Sequence, residues 1–317
     1  MTLGFVFPGQ GSQSVGMSGA LAESYPVVRQ TYEEASEALG YDLWQMAANG
    51  PEAELNLTHV TQPAMLAADV AVWRVWEQQG GARPAVMAGH SLGEYAALVC
   101  AGALPFAGAA AAVAERGRLM QQSVPAGAGA MAAILGLDDE TVGRVCREAA
   151  EGGMVEAVNF NAPGQVVIAG ERAAVERATA LAKGAGAKRA VALPVSVPSH
   201  CALMRPAAEQ LAERLANLEL RAPALPVLHN CDLSAHADPG QIREALVRQL
   251  YSPVRWVETI QAFAARGVET VVECGPGKVL AGLNRRIDRN MKIHAVYDPA
   301  GLDQALLQLG SPSNHES

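Results

Sequence analysis

The sequence predicts an α/β protein: a parallel, helix-covered sheet with a smaller α+β domain inserted into it. Over the first 125 or so residues, apolar runs of strand length alternate with longer stretches of helical periodicity. From about 126 to 197 the order becomes β-α-β-β-α-β, the split-βαβ signature of a ferredoxin-like domain. Half the residues are hydrophobic but only 5% are aromatic, so the core is built mainly from Ala, Val and Leu. That composition suits helices packed closely on a sheet.

The elements follow in order. Leu3–Phe7 is a short apolar run broken by Pro8-Gly9, a first core strand ending in a loop. Tyr25–Leu39 and Gln62–Gln79 have helical spacing, with Thr58 and Thr61 as N-caps for the second. Pro84–Ala88 reads as a buried strand, Leu92–Ala101 as a helix and Phe106–Ser123 as another. In the inserted region, Met131–Leu137, Val155–Phe160, Gln165–Ala169 and Lys188–Val195 are strands, with a turn over 161–164. Asp138–Ala150, capped by its aspartate, and Ala173–Ala185 are its helices. Beyond it, Ala207–Leu218 and Gln241–Leu250 are helical, and Val227–Asn230 and Val268–Glu273 are strands. The expected organisation is a discontinuous large domain (1–125 and 198–309), a small domain (126–197) and a disordered tail (310–317).

A chain of 317 residues buries a sizeable core. Its net charge of −8 argues against a nucleic-acid partner, which needs a concentrated basic face. Five dispersed cysteines, none in a C-x-x-C pair, fit reduced thiols and exclude zinc-type spacing. The first ten residues lack a positive n-region and a sustained apolar h-region, and no apolar run reaches membrane-spanning length. The expectation is a cytoplasmic protein with no metal, no membrane contact and a monomeric state.

Gly89-His90-Ser91-Leu92-Gly93 is the most informative segment. A serine between strand and helix, with glycine two residues to either side, fits a tight turn that lifts its hydroxyl clear of the sheet. The alternative is a glycine-rich turn with an incidental serine. A nucleophilic serine needs a base, and His200 is the best of seven histidines, because Pro194–His200 is a proline-stiffened loop at a strand end. His90 adjoins the serine but should project away from it, and His229 ends a core strand. No carboxylate lies at a suitable position between Ser91 and His200: Asp138 and Asp139 are explained by capping. A Ser–His dyad is therefore expected, its imidazole held by a neutral acceptor, an arrangement better suited to a thioester than to a peptide bond. The amide of Leu92 and the loop Gly9–Gln13 could supply oxyanion donors, although Pro-Gly-Gln-Gly is also ordinary turn chemistry. Arg116 sits in a helix rich in Ala, Gly and Val and needs an anionic partner, by default an internal glutamate and otherwise a ligand.

Five segments recur together in this order: Phe7-Pro-Gly-Gln-Gly-Ser-Gln13, Gly-His-Ser-Leu-Gly-Glu94, Arg116, Val197-Pro-Ser-His200 and Gly275-Pro-Gly-Lys278. With Asn159–Ile168 and Val247–Pro253, they make the chain resemble the malonyl-CoA:acyl carrier protein transacylases of bacterial type II fatty acid synthesis along nearly its whole length. The resemblance implies an α/β-hydrolase-like large domain with a ferredoxin-like insert. It implies Ser91 as the acylated nucleophile and His200 as base and then acid, with the Gln249 main-chain carbonyl orienting the imidazole. Arg116 would hold the malonyl carboxylate, Gln10 and Leu92 would frame the oxyanion, and Met120 and Asn161 would line the pocket. Malonyl-CoA and acyl carrier protein are the implied partners, with ping-pong transfer and no cofactor. Lys183, Lys188, Arg189, Arg285, Arg286 and Arg289 are candidates for a local basic surface facing the acidic carrier protein. The alternatives are a serine hydrolase, an acyltransferase of the same family serving polyketide assembly, and a catalytically silent carrier-protein binder.

Overall fold

The computed structural model describes residues 2–195 and 197–309. The expected tail, 310–317, lies outside them. Among the described residues, nine strands form two sheets. Leu3–Phe7 (β1), Val86–Gly89 (β2), Val227–Leu228 (β7), Thr270–Cys274 (β8) and Lys292–Val296 (β9) make a parallel sheet in the order β7-β2-β1-β8-β9. Every residue of β1, β2 and β8 is buried, as continuous apolar strands covered on both faces must be. The helix Thr58–Gln78 lies against this sheet, where Phe5 meets Trp73 and Trp76 edge-on at ring separations of 5.3 Å.

Gly129–Leu135 (β3), Val155–Ala162 (β4), Gln165–Glu171 (β5) and Arg189–Ala192 (β6) form an antiparallel sheet in the order β4-β5-β3-β6. In sequence it falls between β2 and β7. The period of two along β3 divides its residues between two cores. Ala132 and Ile134 pack under the helices Asp139–Ala150 and Arg172–Gly184, while Met131 joins Val158, Val167 and Cys201 on the opposite face. The β4 edge is closed by the segment before the helix Trp256–Ala265: Phe160 N donates to Val254 O at 3.0 Å, and Val254 N to Val158 O at 2.8 Å. Asp138 caps its helix through Thr141 N at 2.7 Å, as expected.

Several expectations are corrected. The long helix begins at Thr58, with Leu57 as its N-cap, so neither threonine caps it. Thr61 instead donates its hydroxyl to Leu55 O, and also to Leu57 O, which already accepts from Val60 N and Thr61 N. The turn over 161–164 shrinks to Pro163-Gly164, where proline fixes one φ and Gly164 takes +69°, so Asn161 and Ala162 stay in β4. The last strand of the insert covers only Arg189–Ala192, and Val227–Asn230 pairs only as far as Leu228. The sequence reading passed over the helices Trp256–Ala265, Val279–Ile287 and Pro299–Leu309 and the edge strand β9. No described helix is long and apolar enough to cross a membrane, and all five cysteines are free thiols.

Two carboxyls lie deep in the parallel-sheet core. Glu273 accepts from Leu280 N and Ala281 N at the start of the helix Val279–Ile287, and burial raises its pKa to about 7. Asp69 is fully buried against the loop after β8, neither of its oxygens has a partner, and burial with nearby Glu273 raises its pKa well above the ordinary value. A raised folded-state pKa means that this group's contribution declines as pH climbs past the unfolded carboxyl's titration. Asp69→Asn escapes that decline. Its stability relative to the unsubstituted protein is expected to grow between about pH 4 and about pH 8, by at most ~1.4 kcal/mol per pH unit. Urea unfolding at the two pH values measures it, and a pH-independent difference contradicts it.

Candidate active site

The site forms at the carboxyl end of β2. Ser91 has φ +52°, a left-handed conformation costly for a residue with a side chain. Its flanking glycines are required by contact: a Cβ on Gly89 would lie 1.8 Å from Gly93 C, and one on Gly93 would lie 2.1 Å from Phe7 O. The turn is then held from the side. Ser91 N donates to Asn230 Oδ1 at 2.7 Å, and Asn230 Nδ2 donates to Gly89 O at 2.7 Å. Ser91 thus stands above the N-terminus of the helix Gly93–Cys100, with Leu92 N beside the loop that carries Gln10. Gln10 Nε2 reaches Thr58 Oγ1 at 3.5 Å.

His200 meets the serine from a loop over 100 residues away in sequence. It too is left-handed, at φ +66°, and its main-chain N–H donates to Leu250 O at 3.0 Å. Its Nδ1 lies 2.8 Å from Gln249 O and its Nε2 lies 2.7 Å from Ser91 Oγ. A carbonyl only accepts, so Nδ1 carries the proton and Nε2 presents a lone pair to the serine hydroxyl. Burial, reinforced by the Arg116 charge, lowers the His200 pKa to about 3. The imidazole is therefore neutral and basic in form at neutral pH.

Arg116 is 1% exposed, yet among the described residues no carboxylate lies within ion-pair reach of it, in contrast to the internal glutamate expected by default. Nη1 donates to Gln62 Oε1 at 2.9 Å, and Nη2 donates to Gln249 Oε1 at 3.0 Å and to Ser91 Oγ at 3.3 Å. Its Nε has no partner. A buried guanidinium with only neutral partners, next to a serine hydroxyl, can pair with an anion brought into the cavity.

These groups border a cavity of about 120 Å³ between the two sheets. Gln10, Leu92 and Met120 line it from the parallel-sheet side, and Met131, Asn159 and Leu193 from the other. Met120 Sδ also accepts from Gln62 Nε2 at 3.4 Å. Asn161 stands behind this wall rather than in it: its Oδ1 lies 2.8 Å from His90 Nε2, and the His90 ring tilts against Trp256. Asn159 reaches the wall instead, with its buried Oδ1 unpartnered. Sequence reasoning missed Gln62, Asn230 and the Gln249 side chain. Each makes its contribution across 54 to 158 residues of sequence, so no local pattern announces it. Glu94 was within the recognised motif but carried no assigned role.

The acyl transferase domain family model matches residues 4–297. Malonyl CoA-acyl carrier protein transacylase of Salmonella typhimurium is 59% identical over 304 residues, covering 96% of this chain and 98% of that one. An acyl carrier protein S-malonyltransferase from Vibrio cholerae superposes with a TM-score of 0.94 at 60% identity, over 96% of this chain and 99% of that one. A malonyl-transacylase solved with a type II PKS acyl-carrier protein gives 0.96 at 56% identity, over 97% and 100%. The chain belongs to the acyl transferase family and, within it, to the malonyl CoA-acyl carrier protein transacylases.

Proposed function

We propose that the protein transfers a malonyl group from malonyl-CoA to the phosphopantetheine thiol of acyl carrier protein, through a malonyl ester on Ser91, for fatty acid elongation. One observation carries the reading: the Ser91–His200 pair stands beside a buried arginine with no carboxylate of its own. Arg116 takes the free carboxylate of the malonyl group. Ser91 Oγ attacks the thioester carbonyl while His200 Nε2 takes its proton, and Gln249 O steadies the imidazolium that forms. The carbon–sulfur bond breaks, and His200 returns the proton to the departing coenzyme A thiolate. The carrier thiol then gives its proton to His200 and attacks the ester, and His200 hands that proton back to Ser91. The Leu92 amide and Gln10 stabilise the oxyanion in both halves, and the covalent malonyl-serine between them gives ping-pong kinetics. Thioester and ester exchange needs no cofactor or metal.

The finer architectural reading belongs with this proposal. The order β4-β5-β3-β6 supports a ferredoxin-like small domain over 126–197, set into an α/β-hydrolase-like large domain over 1–125 and 198–309. Met120 completes the acyl pocket, and Asn161 supports it through His90. Arg286 and its basic neighbours, with Lys183, Lys188 and Arg189, supply the surface for the acidic carrier. The solved relative bound to a type II PKS carrier protein favours one second reading, a polyketide carrier as acceptor. Transfer rates to the two kinds of carrier separate them. We read the enzyme as a cytoplasmic monomer without nucleic-acid or membrane partners.

Intact mass after brief mixing with malonyl-CoA is expected to show one malonyl adduct, discharged by holo acyl carrier protein. Ser91→Ala should show none, and a full adduct on that variant would refute the assignment. Arg116→Ala is expected to lose malonyl transfer by at least ~100-fold more than acetyl transfer, because only malonyl brings the anion to a charge-assisted bond. Equal losses would make Arg116 structural. With an uncharged pantetheine thioester as donor, kcat/KM for acylation should stay level from about pH 8 down to about pH 5, because His200 is already neutral in the free enzyme. An inflection near the ordinary histidine value would contradict this.

A further inference from the structure

Glu94 is a fully buried carboxylate that the reaction above does not use. It lies in the first turn of the helix Gly93–Cys100, directly below the serine turn. Its Oε1 accepts from His229 Nδ1 at 2.7 Å, and its Oε2 accepts from Asn230 N at 2.9 Å and from Gln249 Nε2 at 2.8 Å. Three donors converge on one carboxylate, and two of them belong to residues that hold the reacting groups.

Gln249 is the junction. Its main-chain carbonyl holds His200, its Nε2 also donates to Ser91 O at 2.9 Å, and its Oε1 accepts from Arg116. The side-chain amide could in principle sit either way round, since its two ends differ little in shape. Its partners decide. Glu94 Oε2 and Ser91 O are both acceptors, so the NH₂ end must face them, and the carbonyl end is left for the guanidinium. Were the amide reversed, its NH₂ would confront Arg116 donor to donor, and its carbonyl would confront a carboxylate.

We infer that Glu94 is a positioning residue for the carboxylate clamp: by binding Gln249 Nε2 it fixes the direction of that amide and so holds Arg116 beside Ser91. The same carboxylate grips Asn230 N, whose side chain holds the Ser91 amide. Nucleophile, base support and clamp are therefore registered on one buried group. The inference rests on the malonyl-transfer reading, because it is the clamp for a substrate anion that Glu94 serves.

Glu94→Gln keeps the shape but gives the side chain an NH₂ of its own, so one of the two acceptors that set the direction of Gln249 is weakened while Ser91 O remains. Acylation of Ser91 by malonyl-CoA and by acetyl-CoA, followed by quenched-flow intact mass, is the measurement. Malonyl kcat/KM is expected to fall ~10–100-fold, the scale of a lost hydrogen bond to a charged group, chiefly through KM. Acetyl kcat/KM should fall about tenfold less, so the malonyl-to-acetyl ratio narrows. Gln249→Met removes the amide while keeping the carbonyl that holds His200. It should narrow the ratio equally, and the double variant should narrow it no further. A Glu94→Gln enzyme that loses both donors by the same factor overturns the inference, as does a Gln249→Met enzyme with the ratio intact. Should Glu94→Gln fail to fold, the Gln249→Met ratio alone decides in the same two directions. An unsubstituted enzyme that takes up neither acyl group would instead defeat the functional reading, and it is measured first.

Discussion

The left-handed turn at Ser91 is the constraint from which the site follows. A serine at φ +52° is held only if its surroundings over-determine it, and here they do so by contact. Gly89 and Gly93 close on each other at distances that leave no room for a methyl group, and Gly93 presses on the carbonyl at the end of β1. Because β1 is the centre of the parallel sheet, the turn is anchored to the least yielding part of the molecule. Asn230, just beyond the short strand β7, then ties both sides of the turn together. The early end of β7 at Leu228 thus frees Asn230 to serve the turn, where a continued strand would commit its main chain to a ladder.

Electrostatics at the site follow from placing one cation where no carboxylate of the described residues comes within ion-pair reach. Arg116 stands close enough to Ser91 Oγ to donate to it, and close enough to His200 to make its protonation harder. The free enzyme therefore has an imidazole that is a weak base. Under the proposed reaction, an arriving malonyl carboxylate cancels the Arg116 charge, which relieves the repulsion that the imidazolium would otherwise meet. A neutral acyl group brings no such relief. Selectivity and base strength then share one cause. A neutral carbonyl behind His200 fits this scheme, since a carboxylate there would strengthen the base regardless of what was bound.

Much of this was legible because it is local. The Gly-x-Ser-x-Gly spacing reports a steric requirement, and the proline-bounded loop reports the rigidity that His200 needs. The β-α-β-β-α-β order of the insert follows from alternating periods. What stayed hidden is the cross-chain support. Nothing around Gln62 distinguishes it from any glutamine on an apolar helix, and nothing around Asn230 marks it as the partner of a turn 139 residues earlier. Thr58 and Thr61 have the chemistry of N-caps, but the helix opens before them because Leu57 enters extended and Thr61 turns its hydroxyl back to Leu55 O. The edge strand β9 was missed for a physical reason too: its residues are mostly half-exposed, so they do not form the apolar run that marks a central strand.

The second sheet explains why an ester on Ser91 could await a thiol rather than meet water. On the cavity wall, Met131, Leu193, Val195 and Val197 offer no hydrogen bond to hold a hydrolytic water, and Asn159 is the one polar side chain that this sheet adds, whereas the opposing wall carries the polar groups proposed to act on the acyl carbonyl. A water poised to attack needs about three polar partners to order it. On the serine side, in the proposed acyl-enzyme, Arg116 would be engaged with the malonyl carboxylate, which leaves His200 Nε2 as the base that faces the incoming nucleophile. A phosphopantetheine thiol requires no such ordering, because its arm delivers the sulfur already tethered. Under the proposed reaction, setting these apolar side chains over the Ser91 turn favours the tethered thiol over free water.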